Sequence, residues 1–390
     1  ENGIIKRAQD AQNKMDQATQ NDLDSINELN NWIDGKINGT TGGGTTGGDA
    51  NPSTTQKIST LVGKVVDKNT KAEDAYGNKI TIPKGFKVVA HGTVAGSATY
   101  TYSGDNIPAV QDGIVIENGT DGNQFVWVPV GTIKNKDNTT KTITLGRYEF
   151  DSYTGALKST TPVQVASVEN CTKIVTISRD AVDYQELSTF REGNSATDST
   201  AQNATARNLE EFISTTLANG GYYIARFEAS GTAEKITSKY DQTVLTTITQ
   251  PNAAKAAREM YGEIKENNKL VYASDLVNSY AWDTAIVFIQ TYSGKTDYAS
   301  HNESKTTKAF TATGKNNDKY CNIFDMSGNA SEWTTEYSTD SYIINSPPCV
   351  IRGGCYNPAN GSGHYTSNRS GSNPTSSYSN TGLRPLLYVK

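Results

Sequence analysis

Apolar side chains at Ile4, Ala8, Ala11, Met15, Ala18, Ile26, Leu29, Ile33 and Ile37 recur close to every 3.6 residues, with Asp22 the one polar intrusion. That spacing predicts one long amphipathic helix over residues 1–37, about 50 Å long at roughly 1.5 Å per residue. Such a helix cannot bury its apolar stripe alone, so self-association through it is expected. From Asn38 the chain reads NGTTGGGTTGGDANPSTTQ. Glycine and small polar residues bury too little apolar area to offset ordering entropy, which predicts a flexible linker over 38–56. Beyond it, short β-like runs alternate with turn signals: KITIP, FKVVA, GIVIE, FVWVPV, TITLGRYEF, GGYYIARFE, CVIRGG and PLLYV. Two stretches break that rhythm and predict helices, ATARNLEEFISTTLANG and SDLVNSYAWDTAIVFIQTYSG, the second with Ser274 or Asp275 as its N-cap. Residues 57–119 read either as a small separate β unit or as the opening strands of a head domain that occupies 120–390. No tandem repeat is present.

Charge removes one class of partner. With 36 basic against 41 acidic groups and a net charge of −5, the chain lacks the positive field that nucleic acid requires. Only 20% of residues are charged, and 21 tyrosines with abundant Asn, Ser, Thr and Gly take over the polar role. This composition points to an extracellular protein exposed at the cell surface. Four cysteines are too few for a disulfide scaffold in a chain of 390 residues. Cys349 and Cys355 flank Val-Ile-Arg-Gly-Gly and, if extended, lie about 20 Å apart, too far to pair. A bond from Cys321 to one of them and free buried thiols, Cys171 included, both stay open. No window reaches the roughly 18 apolar residues of a membrane span, and no signal peptide is seen. The first residue is Glu1, not Met, so an upstream segment is expected to have been removed, and membrane attachment would come only through it.

The opening words ENGIIKRAQDAQNKM resemble the segment that directly follows the hydrophobic helix of type IV pilin-like proteins of Gram-positive bacteria. The resemblance spans residues 1–37 and implies assembly into a filament; an ordinary helical stalk fits the same periodicity. A second resemblance is spread over the later chain. FVWVPVG, GGYYIARFEAS, YAWDTAIVFIQ, IFDMSGNASEW, VIRGG and GLRPLLYV follow the order and spacing of the formylglycine-generating-enzyme family, with Ser331 where that family usually has an aromatic. This implies an α+β, C-type-lectin-like domain with much irregular structure, whose first and last strands lie together.

Within DMSGNASEW, Gly328 and Asn329 predict a tight turn, and Asp325 and Glu332 place carboxylates around the carbonyls it exposes, an oxygen set suited to calcium. The family resemblance assigns a structural calcium ion to Asp325, Gly328, Ala330 and Glu332, the glycine and alanine through their carbonyls. A metal-free turn in which Glu332 caps backbone amides is the alternative. Members that oxidise cysteine use reactive thiols shortly after the RGG strand. Here those positions fall near Pro358 and Gly363, and Cys355 reads as a core residue. His91, His301 and His364 are too scattered for the iron site of a relative. The catalytic apparatus is therefore expected to be absent.

Residues 357–381 hold 7 Ser, 5 Asn, 3 Thr, 3 Gly and 2 Tyr, with Arg369 as the single charge. Such a run builds no core, yet it is bracketed by RGG and GLRPLLYV, so the fold must hold it at the surface. Tyr, Asn, Ser and Gly are the residues of adaptable paratopes. In placement and composition the segment looks like the variable region of C-type-lectin-fold proteins diversified by retroelements, where adenine-directed mutation of Asn codons yields this residue set; a plain Ser/Asn loop is the alternative. The candidate contacts are Tyr356, Asn357, Asn360, His364, Tyr365, Asn368, Arg369, Asn373 and Tyr378. The expectation is a bacterial or phage-encoded, surface- or pilus-associated adhesin for an external protein or glycan. A structural filament subunit and a formylglycine-generating-type oxidase are the rivals.

Overall fold

In the run Gln124–Pro129 all six side chains are buried, and from Phe125 on the usual strand alternation gives way to a continuous apolar word. That pattern belongs to a strand covered on both faces, and it marks the centre of the molecule. The computed structural model describes residues 55–89, 108–151, 154–177, 182–186, 205–303, 310–338, 349–356 and 365–390. The helix expected over 1–37 and nearly all of the linker lie outside these residues. The linker boundary moves slightly, because Gln56 already pairs as a strand with Ala72.

In chain order, the strands of the two main sheets begin with β1 (Phe86–Val88), β2 (Val115–Asn118), β3 (Gln124–Pro129), β4 (Val175–Ile177), β5 (Val182–Gln185) and β6 (Gly221–Ala225). They continue with β7 (Glu263–Glu266), β8 (Lys269–Leu276), β9 (Ser331–Ser338), β10 (Cys349–Arg352), β11 (Ser370–Ser372), β12 (Thr381–Leu383) and β13 (Pro385–Val389). One seven-stranded sheet runs β7-β8-β13-β6-β3-β2-β1. A six-stranded sheet runs β4-β5-β9-β10-β11, with β12 paired in parallel to β9. Because β1 and β2 continue the large sheet from β3, residues 57–119 supply opening strands of the head, and Thr55–Lys390 forms one contact unit. The last strand, β13, sits between β6 and β8, one strand away from β3 and not beside it.

Three helices stand among the described residues: α1 (Leu209–Asn219), α2 (Gln250–Glu259) and α3 (Ser279–Tyr292). Asn208 caps α1 by accepting from the Glu211 amide, and Gly220 ends it in the left-handed conformation. Asn278 caps α3 by accepting from Ala281, whereas Ser274 and Asp275, the expected caps, belong to β8. Helix α2 escapes the sequence pattern because its apolar content is alanine, with Pro251 in the first turn. Helix α3 is buried from Ser279 to Ile289, so no polar face marks it. The main core joins Trp127, Tyr222, Tyr223, Trp282 and Phe288; Trp333 and Leu383 belong to a second cluster with the alanines of α2. No described helix is long and apolar enough to cross a membrane.

Candidate functional site

The segment after the RGG strand returns across the molecule on backbone hydrogen bonds. The Thr366 and Ser367 amides donate to His301 O and Ala299 O, both at 3.0 Å, and the indole of Trp282 donates to Thr366 O at 2.9 Å. Residues 370–372 then form β11 against β10. Further on, Pro374 O and Tyr378 O accept from Gln250 and Thr247, and Asn380 O accepts from Ser331. From residue 365 onward, this run with no apolar core of its own is thus ordered largely through its main chain, which asks little of most of its side chains.

Its one charged side chain does more. Arg369 is buried and donates to Asp283 at 2.6 Å and to Glu336 at 3.0 Å. Arg352 of β10 meets the other oxygen of Asp283 at 2.6 Å and lies 3.5 Å from Glu336. Arg147 donates to Tyr184 O at 3.1 Å and approaches Glu336 at 4.0 Å. Each guanidinium also lies over an aromatic ring: Arg147 over Tyr280, Arg352 over Trp282, Arg369 over Tyr184. Burial works against the Asp283 charge, but Arg369 and Arg352 more than offset it and hold its carboxyl below the ordinary range. Glu186 completes the cluster, accepting from the Ser279 amide at the start of α3 and from the Thr335 hydroxyl. Burial pushes its carboxyl up to about 7 despite Arg147.

The candidate contacts therefore divide. Asn357, Asn360 and His364 lie outside the described residues. Tyr356 is half-buried, its ring 5.1 Å from Phe310, and Tyr365 and Asn368 are half-buried and belong to the outer surface. Arg369 is corrected from contact to anchor, because its charge is spent on two buried carboxylates. The carboxamide oxygen of Asn373 is taken by the Thr375 amide and hydroxyl, at 3.0 and 2.7 Å, so it serves the turn. Tyr378 packs its ring 6.0 Å from Trp333 and is in part a core residue. Sequence reasoning missed Asp283, Glu336 and Arg352. A carboxylate inside the apolar word YAWDTAIVFIQ was the available signal, since a buried charge needs a partner.

The DMSGNASEW stretch makes the expected turn, with Asp325 at φ 58°, Gly328 at 91° and Asn329 at 58°. Gly353 of the RGG strand lies against it at φ 87°, where an added Cβ would come 2.9 Å from Met326 O. The calcium assignment meets a different arrangement. Both carboxylate oxygens of Glu332 face Arg384, at 2.7 to 3.1 Å, so Glu332 is committed to a guanidinium and not to a cation. One oxygen of Asp325 accepts from the Gly314 amide, and the other is buried without a partner. The Ala330 amide donates to Glu228, whose charge burial and its acidic neighbours disfavour. Among the described residues no three His, Cys, Asp or Glu side chains are grouped to hold a metal. One open carboxylate oxygen among the assigned residues does not fit a calcium cage of six to eight ligands.

All four cysteines are free. Burial pushes the thiols of Cys171, Cys321 and Cys349 up, away from the thiolate form. Cys355 is 1% exposed, and its sulfur accepts from the Asn380 carboxamide at 3.2 Å.

Comparison with known proteins places this architecture. No curated protein matches the chain. Among solved structures, CarF is similar at 15% identity with a TM-score of 0.31, covering 54% of this chain and 97% of its own. Treponema denticola variable protein 1 is similar at 9% identity with a TM-score of 0.26, covering 69% and 97%. Likenesses this shallow bear on neither function nor site. Residues 115–387, from the start of β2 to the middle of β13, match the family of the sulfatase-modifying factor enzyme 1-like domain, and the chain belongs to that family.

Proposed function

We propose that this domain is a non-catalytic binding head that presents the 356–381 segment to an external protein or glycan. The observation that carries the reading is the anchoring of that segment. Main-chain hydrogen bonds and the buried Arg369 side chain hold residues 365–381 in place, while side chains such as Tyr365 and Asn368 stay partly open and free to differ without cost to the core. Recognition on such a scaffold needs no covalent step. The thiol of Cys349 is inert by burial, and no cysteine stands at Pro358 or Gly363. A bacterial or phage-encoded adhesin on a cell surface or pilus fits the Gly/Thr linker and the pilin-like opening words, and many copies on a filament would raise avidity through effective concentration.

The test is sequencing of this locus across a population of the source organism. Substitutions concentrated at adenines in codons 357–381, sparing Arg369 and the flanking RGG and GLRP codons, support a diversified binding head. A window that does not vary overturns diversification. Oxidation of a cysteine-containing peptide in the presence of copper would overturn the non-catalytic reading.

A further inference from the structure

A groove opens at the C-terminal end of α3 and shares no lining residue with the 356–381 segment. Two adjoining hollows of about 360 and 370 Å³ meet there, with Gln111, Asp112 and Tyr292 common to both. Each falls within the roughly 300–1,000 Å³ of small-molecule sites. The wall is not satisfied from within the protein. Asp112 Oδ2, Asn135 Oδ1 and the Tyr292 hydroxyl are buried with no hydrogen-bond partner. The other oxygen of Asp112 faces Lys136 at 3.3 Å and the Asn135 carboxamide nitrogen donates to Thr139 at 2.9 Å, so Asp112 and Asn135 leave accepting capacity, while the Tyr292 hydroxyl can both donate and accept. An unmade hydrogen bond of this kind costs about 1–3 kcal/mol, and three beside one groove point to a guest that brings donors for Asp112 and Asn135 and either role for Tyr292. Asp112 and Tyr292 are only partly buried, so a small turn of either side chain brings its oxygen to such a guest.

The charges narrow the guest. Lys136, Lys141 and Lys319 line the groove against Asp112 and Asp137, which disfavours an ammonium ion. The leftover acceptors disfavour an anion. A neutral polyol donates and accepts in alternation, and its C–H face suits the rings of Tyr292 and Tyr320. The floor is rigid. Cys321 and Asn322 form the two-residue turn of the Lys319–Tyr320 and Ile323–Phe324 hairpin, at φ 46° and 63°. The Asn322 carboxamide is fixed by donating to Asp112 O and Gly113 O, at 3.0 and 2.9 Å. The Cys321 thiol is pushed up by burial and offers no nucleophile, so the guest is held and not attacked. From this geometry we infer that the groove is a second binding site, one that takes a short neutral saccharide non-covalently.

The experiment is saturation-transfer NMR and calorimetry on the full chain with maltotriose, lactose and a β-1,4-linked N-acetylglucosamine trimer, with methylammonium and acetate as charged probes. At least one saccharide should bind with a Kd of about 10 mM or tighter. Tyr292→Phe and Asp112→Asn should each weaken it roughly five- to tenfold, the worth of one hydrogen bond. Lys141→Trp, at an exposed position on the rim, should block the groove without entering the core, and covers the case in which the other variants fold poorly. Tyr365→Ala should leave saccharide binding unchanged, which separates this site from the 356–381 face. The inference is overturned if none of the three saccharides binds, if a charged probe binds in their place, or if Tyr365→Ala abolishes binding that Lys141→Trp leaves intact.

Discussion

Replacing Arg369 decides whether the polar segment is anchored or merely exposed. Its guanidinium holds Asp283 and Glu336 at 2.6 and 3.0 Å, and its side chain is 6% exposed, so solvent screening is slight. Removing one partner of a buried ion pair costs about 3–5 kcal/mol, because the other charge is left uncompensated. Arg352 remains on Asp283, and Arg352 and Arg147 remain near Glu336, which places Arg369→Ala at the low end, about 3 kcal/mol. Arg369→Lys keeps the charge but cannot span both carboxylates as a planar fork does, and should lose about half as much. Urea unfolding read by tryptophan fluorescence suits the assay, since Trp282 lies under Arg352 and donates to Thr366. The midpoint should fall for Arg369→Ala with the slope unchanged. A variant as stable as the parent would refute the anchor and return Arg369 to the list of ligand contacts.

Four further outcomes follow from the same geometry. Glu186 and Asp318 both have folded values near 7, raised chiefly by burial from ordinary values of 4.5 and 3.8. The native state therefore holds their protons more tightly, and their contribution is greatest below pH about 4 and lost as pH rises to about 7. Melting temperature should drop between pH 5 and 8 in buffers of constant ionic strength, and Glu186→Gln, which can still accept from Ser279, should flatten that slope. Gly353→Ala should cost about 1–3 kcal/mol, read by urea unfolding, through its left-handed backbone and the close approach to Met326 O. Tyr378→Ala should destabilise by about 1–2 kcal/mol through lost packing on Trp333, while Tyr365→Ala should change stability by less than about 0.5 kcal/mol. Calcium or a chelator should leave the melting temperature unmoved, since Glu332 is held by Arg384; a rise of several degrees with calcium would mean that the guanidinium yields to the ion.

What the sequence made legible follows from periodicity. The strand words FVWVPV, GGYYIARFE, CVIRGG and PLLYV all became paired strands, because β-branched and aromatic residues at high density have few other uses. The pairing order was not legible. Nothing local to Pro385–Val389 says that it lies between Gly221–Ala225 and Lys269–Leu276, since register there is a matter of tertiary packing. Helix α2 was hidden for a related reason. Its buried face is alanine, which contributes little to a hydrophobic stripe yet permits close approach to β8.

The binding segment was legible in composition and misleading in detail. A single charge in a mostly polar run of 25 residues invites a surface role, and Arg369 instead turns inward because three distant words supply its environment: Asp283 from a helix, Glu336 from β9 and Tyr184 from β5. Charge isolation along the sequence is thus poor evidence of exposure. In a run poor in large apolar residues, a lone arginine is the one side chain able to tie the segment to two buried carboxylates by its charge, and the more the surrounding residues are free to differ, the more the fold depends on it. The same logic explains why Asn373 and Tyr378 fell out of the contact set. A segment without a core of its own must lend some of its side chains to turns and to the neighbouring core, and only those left over, such as Tyr365 and Asn368, are available to a ligand.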